Sequence, residues 1–222
     1  KFEGIRCLVN AGPTYEPIDP VRFIGNHSSG KMGFAIAEEL ASRGGIVDLV
    51  SGPSNIATTS PNITTTKITT ASQMAEECIK RFQHADIAIL SAAVADFTPK
   101  HTAKSKIKSG KSNLTLELVP TMDVAEQLGK QKKEQQLLVG FALETDEEEK
   151  NANGKLAKKN LDIIVLNSLQ DKGAGFGTDT NKVTIFSKQN SPISIPLKSK
   201  KEIAIDIVDA VWDYLHQHKA NL

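Results

Sequence analysis

Short apolar runs recur along the chain with helical stretches between them, and this alternation limits the fold more than any other feature. Residues 5–11, 46–51, 87–91, 137–141 and 161–166 are dense in Ile, Val, Leu and Ala and are too short for buried helices. Such runs read as strands covered on both faces. Between them, residues 32–42 place Met32, Phe34, Ala35, Ile36 and Leu40 at helical spacing, and Gly44-Gly45 stops the run. Ser72 is read as the cap of a helix reaching Gln83, residues 123–130 as a further helix, and 144–159 as a charged, exposed one. Residues 67–70 form a short strand candidate, and 114–118 alternate like a strand with one wet face. Residues 14–31 and 167–180 read as long loops, and after the second the pattern changes to a pair of hairpin strands, 182–186 and 193–197. A closing helix over 201–218 follows, with Ile203, Ile205, Ile207, Val208, Val211 and Leu215 assigned to its buried side. The expected architecture is α/β: a parallel sheet with helices on both faces and a small β extension near the C-terminal third, in a single domain spanning 1–222.

In such a sheet the ligand lies beyond the carboxyl ends of the strands. That directs attention to Gly12-Pro13-Thr14, residues 91–97, Gly140-Phe141 and Asn167.

Composition removes some function classes. The 222 residues are 39% hydrophobic and 24% charged, with a formal net charge of +1. Overall charge therefore supports neither a nucleic-acid nor a membrane-surface partner. No run approaches the roughly 20 apolar residues of a membrane span, and no secretory signal pattern is visible. The 2 cysteines, Cys7 and Cys78, lie in apolar segments and read as buried reduced thiols. These features lead to an expected cytoplasmic location. The chain opens on Lys1, not Met, as one domain of a longer protein would.

Several segments carry chemistry. Residues 25–33 hold Gly25, Ser28, Ser29, Gly30 and Gly33 at the entrance to a helix. Backbone N–H groups, hydroxyls and the positive end of a helix suit phosphate oxygens, while the competing reading is a surface loop capped by Ser28 or Ser29. The stretch nearly matches a P-loop, but Met32 stands at the hydroxyl position and the loop is far from the first strand. A Gly-x-Gly-x-x-Gly fingerprint after that strand is absent. In residues 91–97, small side chains allow a ligand close, and Asp96 suits a magnesium–nucleotide complex, a ribose hydroxyl, a cap or a turn. Lys100, Lys104, Lys106, Lys108 and Lys111 form a basic run that suits phosphate or solvent. Phe141 suits a base or the core, and Lys155 and Lys159, spaced i, i+4, share a helical face. Zinc-type ligand spacing is absent.

Together these segments resemble the phosphopantothenoylcysteine synthetase family of coenzyme A biosynthesis. The resemblance covers nearly the whole chain. It rests on residues 11–14, 19–22, 26–33, 92–96, 106–108, 139–142, 144–145 and 159–162. It implies a Rossmann-like fold, a homodimer, magnesium and CTP. It also implies an N-terminal flavin-dependent decarboxylase domain in the full-length protein. The implied reaction joins 4′-phosphopantothenate to cysteine through an acyl-cytidylate. Asn26 matches the residue holding that intermediate, and Asn26, Ala92 and Ala93 match substrate positions. Gly12, Ser28, Ser29, Gly30, Asp96, Lys106, Phe141, Lys155 and Lys159 match nucleotide positions. Asp96 is also expected near the metal, and Lys106 in a catalytic flap. Met122, Asp123, Val124 and Ala125 match a base-reading segment in which Met122 replaces the family's usual proline. The alternatives left by the residues themselves are an NAD(P)-dependent oxidoreductase and a non-catalytic nucleotide-binding module.

Overall fold

The computed structural model describes residues 1–108, 113–144, 148–168, 179–188 and 190–220. In chain order, β1 (Arg6–Ala11) is followed by a hairpin of β2 (Tyr15–Pro17) and β3 (Phe23–Gly25), then α1 (Lys31–Ser42), β4 (Ile46–Ser51) and β5 (Ile63–Lys67). Next come α2 (Ala71–Phe82), β6 (Ile87–Leu90), and the short strands β7 (Phe97–Pro99) and β8 (Leu118–Pro120). Then α3 (Val124–Gln131), β9 (Leu137–Glu144), α4 (Glu148–Lys158) and β10 (Ile163–Ser168) lead to β11 (Thr180–Ser187), β12 (Ile193–Ser199) and α5 (Lys200–Ala220).

The main sheet is 8-stranded, in the order β12-β11-β10-β9-β6-β1-β4-β5. Pairing is parallel from β10 through to β5, whereas β11 and β12 are added antiparallel. This is the Rossmann-like α/β arrangement with its C-terminal β extension. β2–β3 and β7–β8 form separate two-stranded sheets.

The apolar runs become central strands because both faces are covered. Leu8, Val9, Ile87, Ile89, Leu138 and Val139 are 0% exposed. Cys7, Val9, Ile87 and Ile89 face a core built with Phe34, Ile36 and Leu40 of α1 and Ile203, Ile207 and Val211 of α5. Their neighbours Leu8, Ala88 and Leu138 turn to the other face, against Met74 and Cys78 of α2, Leu128 of α3 and Leu156 of α4. Burying one such Leu or Ile contributes roughly 1.5–3 kcal/mol, which makes the register of the central strands strongly specified.

Several expectations require correction. The fifth strand lies at Ile63–Lys67, not 67–70, because residues 63–67 pair with β4 from Val47 to Ser51. Thr70, not Ser72, caps α2; its side chain accepts from Gln73 N, and the Gln73 side chain answers from the other direction. Residues 114–117 are not a strand. Only Leu118–Pro120 pairs, with β7. The 14–31 loop contains the β2–β3 hairpin. The charged helix begins at Glu148. Ile205 is 41% exposed although its neighbours Ile203 and Ile207 are buried, since two residues along a helix turn a side chain to the opposite face. Lys111, Thr145 and residues 169–178 of the long loop lie outside the described residues.

Candidate active site

Sequence order reverses beside β1: α1 leads to β4 on one side, and α2 leads back to β6 on the other. The crevice at this reversal is where an open α/β sheet places its ligand. Just past the strand ends, Pro13 and Ala93 form a parallel bridge. Ala93 N donates to Gly12 O at 2.9 Å, and Asn26 Nδ2 donates to Ala93 O at 3.0 Å. The Ala93 peptide thus joins the ends of β1 and β6 to the loop that carries Asn26.

Two adjoining cavities occupy the crevice. The larger, about 580 Å³, is walled by Asn26, Ala92, Ala93 and Asp96 on one side. Met122, Asp123, Val124 and Ala125 at the start of α3 form another wall, with Phe141, Lys155 and Lys159 closing it. The smaller, about 160 Å³, is lined by Ser28, Ser29 and Gly30, and shares Ala92, Ala93 and Phe141 with the larger. Residues spread from Asn26 to Lys159 in the sequence are therefore brought to one place.

Two anticipated residues do not line either cavity. Gly12 lies beneath the site. Its φ is +78°, and a Cβ on Gly30, itself at φ +82°, would meet Gly12 Cα at 3.2 Å. Glycine at both positions permits this turn and close approach. Lys106 lies outside both cavities. Its neighbour Ile107 is fastened on the β2–β3 side: Ile107 N donates to Asp19 Oδ2 at 3.1 Å, and Arg22 Nη2 donates to Ile107 O at 2.7 Å.

The first turn of α1 opens toward the smaller cavity. Gly30 is its N-cap and supplies no side-chain hydrogen bond, while Ser28 Oγ accepts from Gly30 N at 3.3 Å. Neither serine is the cap. At the start of α3, Asp123 is the N-cap, accepting from Glu126 N, and it pairs with Lys159 at 2.7 Å. Burial pushes its carboxyl upward, but Lys159 and the backbone N–H groups outweigh that and hold it below the ordinary value. Lys155 and Lys159 share a helical face: Lys159 N donates to Lys155 O at 3.0 Å, which carries the helical turn past the end of α4.

The sequence reading missed the residues that shape the 91–96 loop. Asn10 is 2% exposed and its Oδ1 accepts from Ala92 N at 2.8 Å. Thr14 Oγ1 accepts from Ala95 N, and Thr121 Oγ1 donates to Ala95 O. Asn10 had a signal, a polar residue within an apolar strand run. Thr14 lay in the segment singled out after the first strand, without a role; Thr121 had no signal. Asn167, one of the strand-end positions singled out from the sequence, lines the smaller cavity, as do Lys31, Asn181 and Lys200, which were given no role.

Among the described residues no group of three or more His, Cys, Asp and Glu is arranged to hold a metal ion, and no helix is long and apolar enough to cross a membrane. Asp96, exposed at the cavity wall, offers a single carboxylate. One carboxylate plus phosphate oxygens and water is a donor set that suits magnesium.

Comparison with known proteins agrees with this architecture. The chain is 52% identical over 215 residues to a protein described as cysteine/cysteine sulfinic acid decarboxylase from an unknown prokaryotic organism, covering 97% of this chain and 60% of that one. It is 44% identical over 210 residues to the coenzyme A biosynthesis bifunctional protein CoaBC of Bacillus subtilis (strain 168), covering 95% of this chain and 52% of that one. The chain thus spans little more than half the length of these curated relatives. The crystal structure of the C-terminal domain of coenzyme A biosynthesis bifunctional protein CoaBC superposes with a TM-score of 0.83 at 40% identity, covering 97% of this chain and 98% of that one. A family model matches residues 2–215. The chain belongs to the family of DNA/pantothenate metabolism flavoprotein C-terminal domains.

Proposed function

We propose that this chain is a phosphopantothenate–cysteine ligase that activates the acid with CTP. The observation carrying this reading is the larger cavity, which collects Asn26, Asp96, the start of α3, Phe141, Lys155 and Lys159 at the sheet's reversal. A carboxylate is a poor acylating agent, so amide formation needs a leaving group. In the first step a carboxylate oxygen of 4′-phosphopantothenate attacks the α-phosphorus of CTP and the bond to the β-phosphate breaks, giving acyl-cytidylate and pyrophosphate. In the second, the cysteine amine attacks the acyl carbon, loses a proton, and CMP departs.

No nucleophilic side chain is required. Positioning and charge stabilisation carry the rate. Asn26 is held at the wall by Ala93 O, and its neutral amide suits an acyl or phosphoryl oxygen. The backbone of Met122, Asp123, Val124 and Ala125, which lines the larger cavity, reads the base, Phe141 lies against the nucleotide, and Lys155 and Lys159 offset its charge. Ser28, Ser29 and Gly30 contribute anion donors, with Gly12 shaping their turn. Ala92 and Ala93 let the acid approach closely. Magnesium, held by Asp96 and phosphate oxygens, would neutralise charge on the triphosphate. Lys106 acts if its segment closes over the crevice. The protein acts as a homodimer, and an adjoining flavin-dependent decarboxylase domain supplies the other half of a bifunctional protein. Both proposals extend beyond this chain.

The test supplies CTP, magnesium, 4′-phosphopantothenate and cysteine and measures pyrophosphate and CMP in equal amounts with amide product. Asn26→Ala should abolish amide formation far more than it weakens CTP binding. Lys106→Ala should slow turnover roughly a hundredfold, as losing one charge-stabilising donor does. Absence of pyrophosphate and CMP with folded protein rejects the ligase reading. Release of CO2 from cysteine without CTP would instead assign the activity named for the decarboxylase relative.

A further inference from the structure

Two walls of the larger cavity come from separate segments, 92–96 and 122–125. The β7–β8 ribbon joins them, together with Thr121, the residue that follows it and also lines the cavity. Phe97 opens β7 and pairs with Pro120, which closes β8. Proline has no N–H to donate. The last bond toward the cavity therefore comes from Thr121, whose N donates to Asp96 O at 2.9 Å.

The Thr121 side chain makes a second bond across the same gap. Its Oγ1 donates to Ala95 O at 2.6 Å. The Ala95 N–H is fixed as well: Thr14 Oγ1 accepts from it at 3.0 Å, and Thr14 is wholly buried. Ala95 is itself buried, so water is a poor substitute for either bond. Asp96, next in the chain, is exposed at the cavity wall. Among the described residues no side chain bonds its carboxylate, so its place is set through its backbone. On its other side Thr121 leads directly to Met122 and to Asp123, the N-cap of α3.

We infer that Thr121 is a positioning residue for the nucleotide. Its N–H and hydroxyl, acting through Asp96 and Ala95, set the distance between the Asp96 carboxylate and the start of α3. The metal–triphosphate end and the base end of one nucleotide then meet a cavity that is already formed. This rests on the ligase reading above. A pre-formed cavity spares the complex the cost of ordering two loose walls, and a displacement of about 1 Å is enough to slow a positioned reaction roughly a hundredfold.

Thr121→Val keeps the branched shape and removes the hydroxyl, whereas Thr121→Ser keeps the hydroxyl. Calorimetric titration of CTP in the presence of magnesium should show binding weakened about tenfold by valine, the loss of one hydrogen bond, and restored by serine. In EDTA, where Asp96 has no metal to hold, wild type and Thr121→Val should bind CTP alike. Added to Asp96→Asn, Thr121→Val should cost almost nothing further, because residues acting through one another are not additive. Kinetics should place the same change in the KM for CTP and leave the KM for cysteine as in the wild type, while thermal melting checks the fold. Equal weakening with and without magnesium, a serine variant no better than valine, or additive losses in the double variant would make Thr121 a residue of folding alone and overturn the proposal. Unchanged binding throughout overturns it too. A wild type that binds CTP but forms no amide fails the ligase reading, and the binding comparison still decides Thr121. A wild type that binds no CTP brings down both.

Discussion

Lys159 Nζ lies 2.7 Å from Asp123 Oδ2, tying the end of α4 to the N-cap of α3 across one wall of the larger cavity. The side chains are 25% and 40% exposed, so solvent screens the pair and its contribution to folding is only about 0.2–1 kcal/mol. Its value lies in holding a cation at a fixed place. Lys159→Ala is therefore expected to change stability by no more than that amount. The KM for CTP should rise about tenfold, the equivalent of one lost hydrogen bond to a charged group. Urea unfolding and nucleotide-dependence kinetics on the same preparation check both halves.

Gly129 controls the same contact from a distance. A Cβ at Gly129 would lie 1.9 Å from Lys159 O, so α3 and the residue after α4 meet backbone to backbone. Asn160 Nδ2 locks the approach by donating to Gly129 O at 3.0 Å. Gly129→Ala must push residue 159 away, at a cost of about 1–3 kcal/mol typical of overpacking, and it should raise the KM for CTP as Lys159→Ala does. Gly154→Ala is the control. Its Cβ meets nothing within 4 Å, and helix propensity predicts a gain of about 0.5–1 kcal/mol with unchanged kinetics. Equal effects from the two alanines would remove the steric argument.

The same comparison shows what the sequence exposes and what it hides. The central strands were legible because burial on both faces demands uninterrupted apolar runs, as in 87–90 and 137–141. Short edge elements were not. β5 is Ile-Thr-Thr-Thr-Lys, whose placement depends on pairing with β4 and not on its own composition, and β7 and β8 have 3 residues each. In the crevice, residues at strand ends and in glycine-rich turns could be chosen from sequence position alone. Lys31 and Lys200 could not be paired, since their meeting depends on α1 and α5 packing on the same face of the sheet. Lys106 carried the right charge, but its place depends on Asp19 and Arg22, far away in sequence.

Both thiols should be chemically silent. Burial pushes Cys7 and Cys78 up to about 12; the Asp86 charge adds to the shift at Cys7, while Asn10 opposes it at Cys78. Thiolate is the reactive form, so native protein at pH 8 should resist iodoacetamide, label at both positions only when unfolded, and retain ligase activity after treatment. Rapid labelling of folded protein with loss of turnover would point to a nucleophilic thiol.

Asp19 gives the lysine segment its anchor, and pH exposes its contribution. The Arg22 guanidinium holds the Asp19 carboxyl well below the carboxylate range; burial opposes this, and the N–H groups of Val21, Ile107 and Arg22 assist. A depressed folded-state pKa stabilises fully above the unfolded value of about 3.9, and that stabilisation is lost as pH falls from there toward the folded value. Wild type should therefore exceed Asp19→Asn in urea midpoint by a constant margin from about pH 5 to pH 8, and the margin should narrow below about pH 4. Asn cannot match the charge of Arg22, so the two hydrogen bonds that fasten Ile107 should loosen together and Lys106 should lose its fixed approach. Asp19→Asn should then slow turnover without raising the KM for CTP. Added to Lys106→Ala it should cost almost nothing further, because residues acting through one another are not additive. Independent, additive losses in the double variant would separate the anchor from the lysine and leave Asp19 with a role in folding alone.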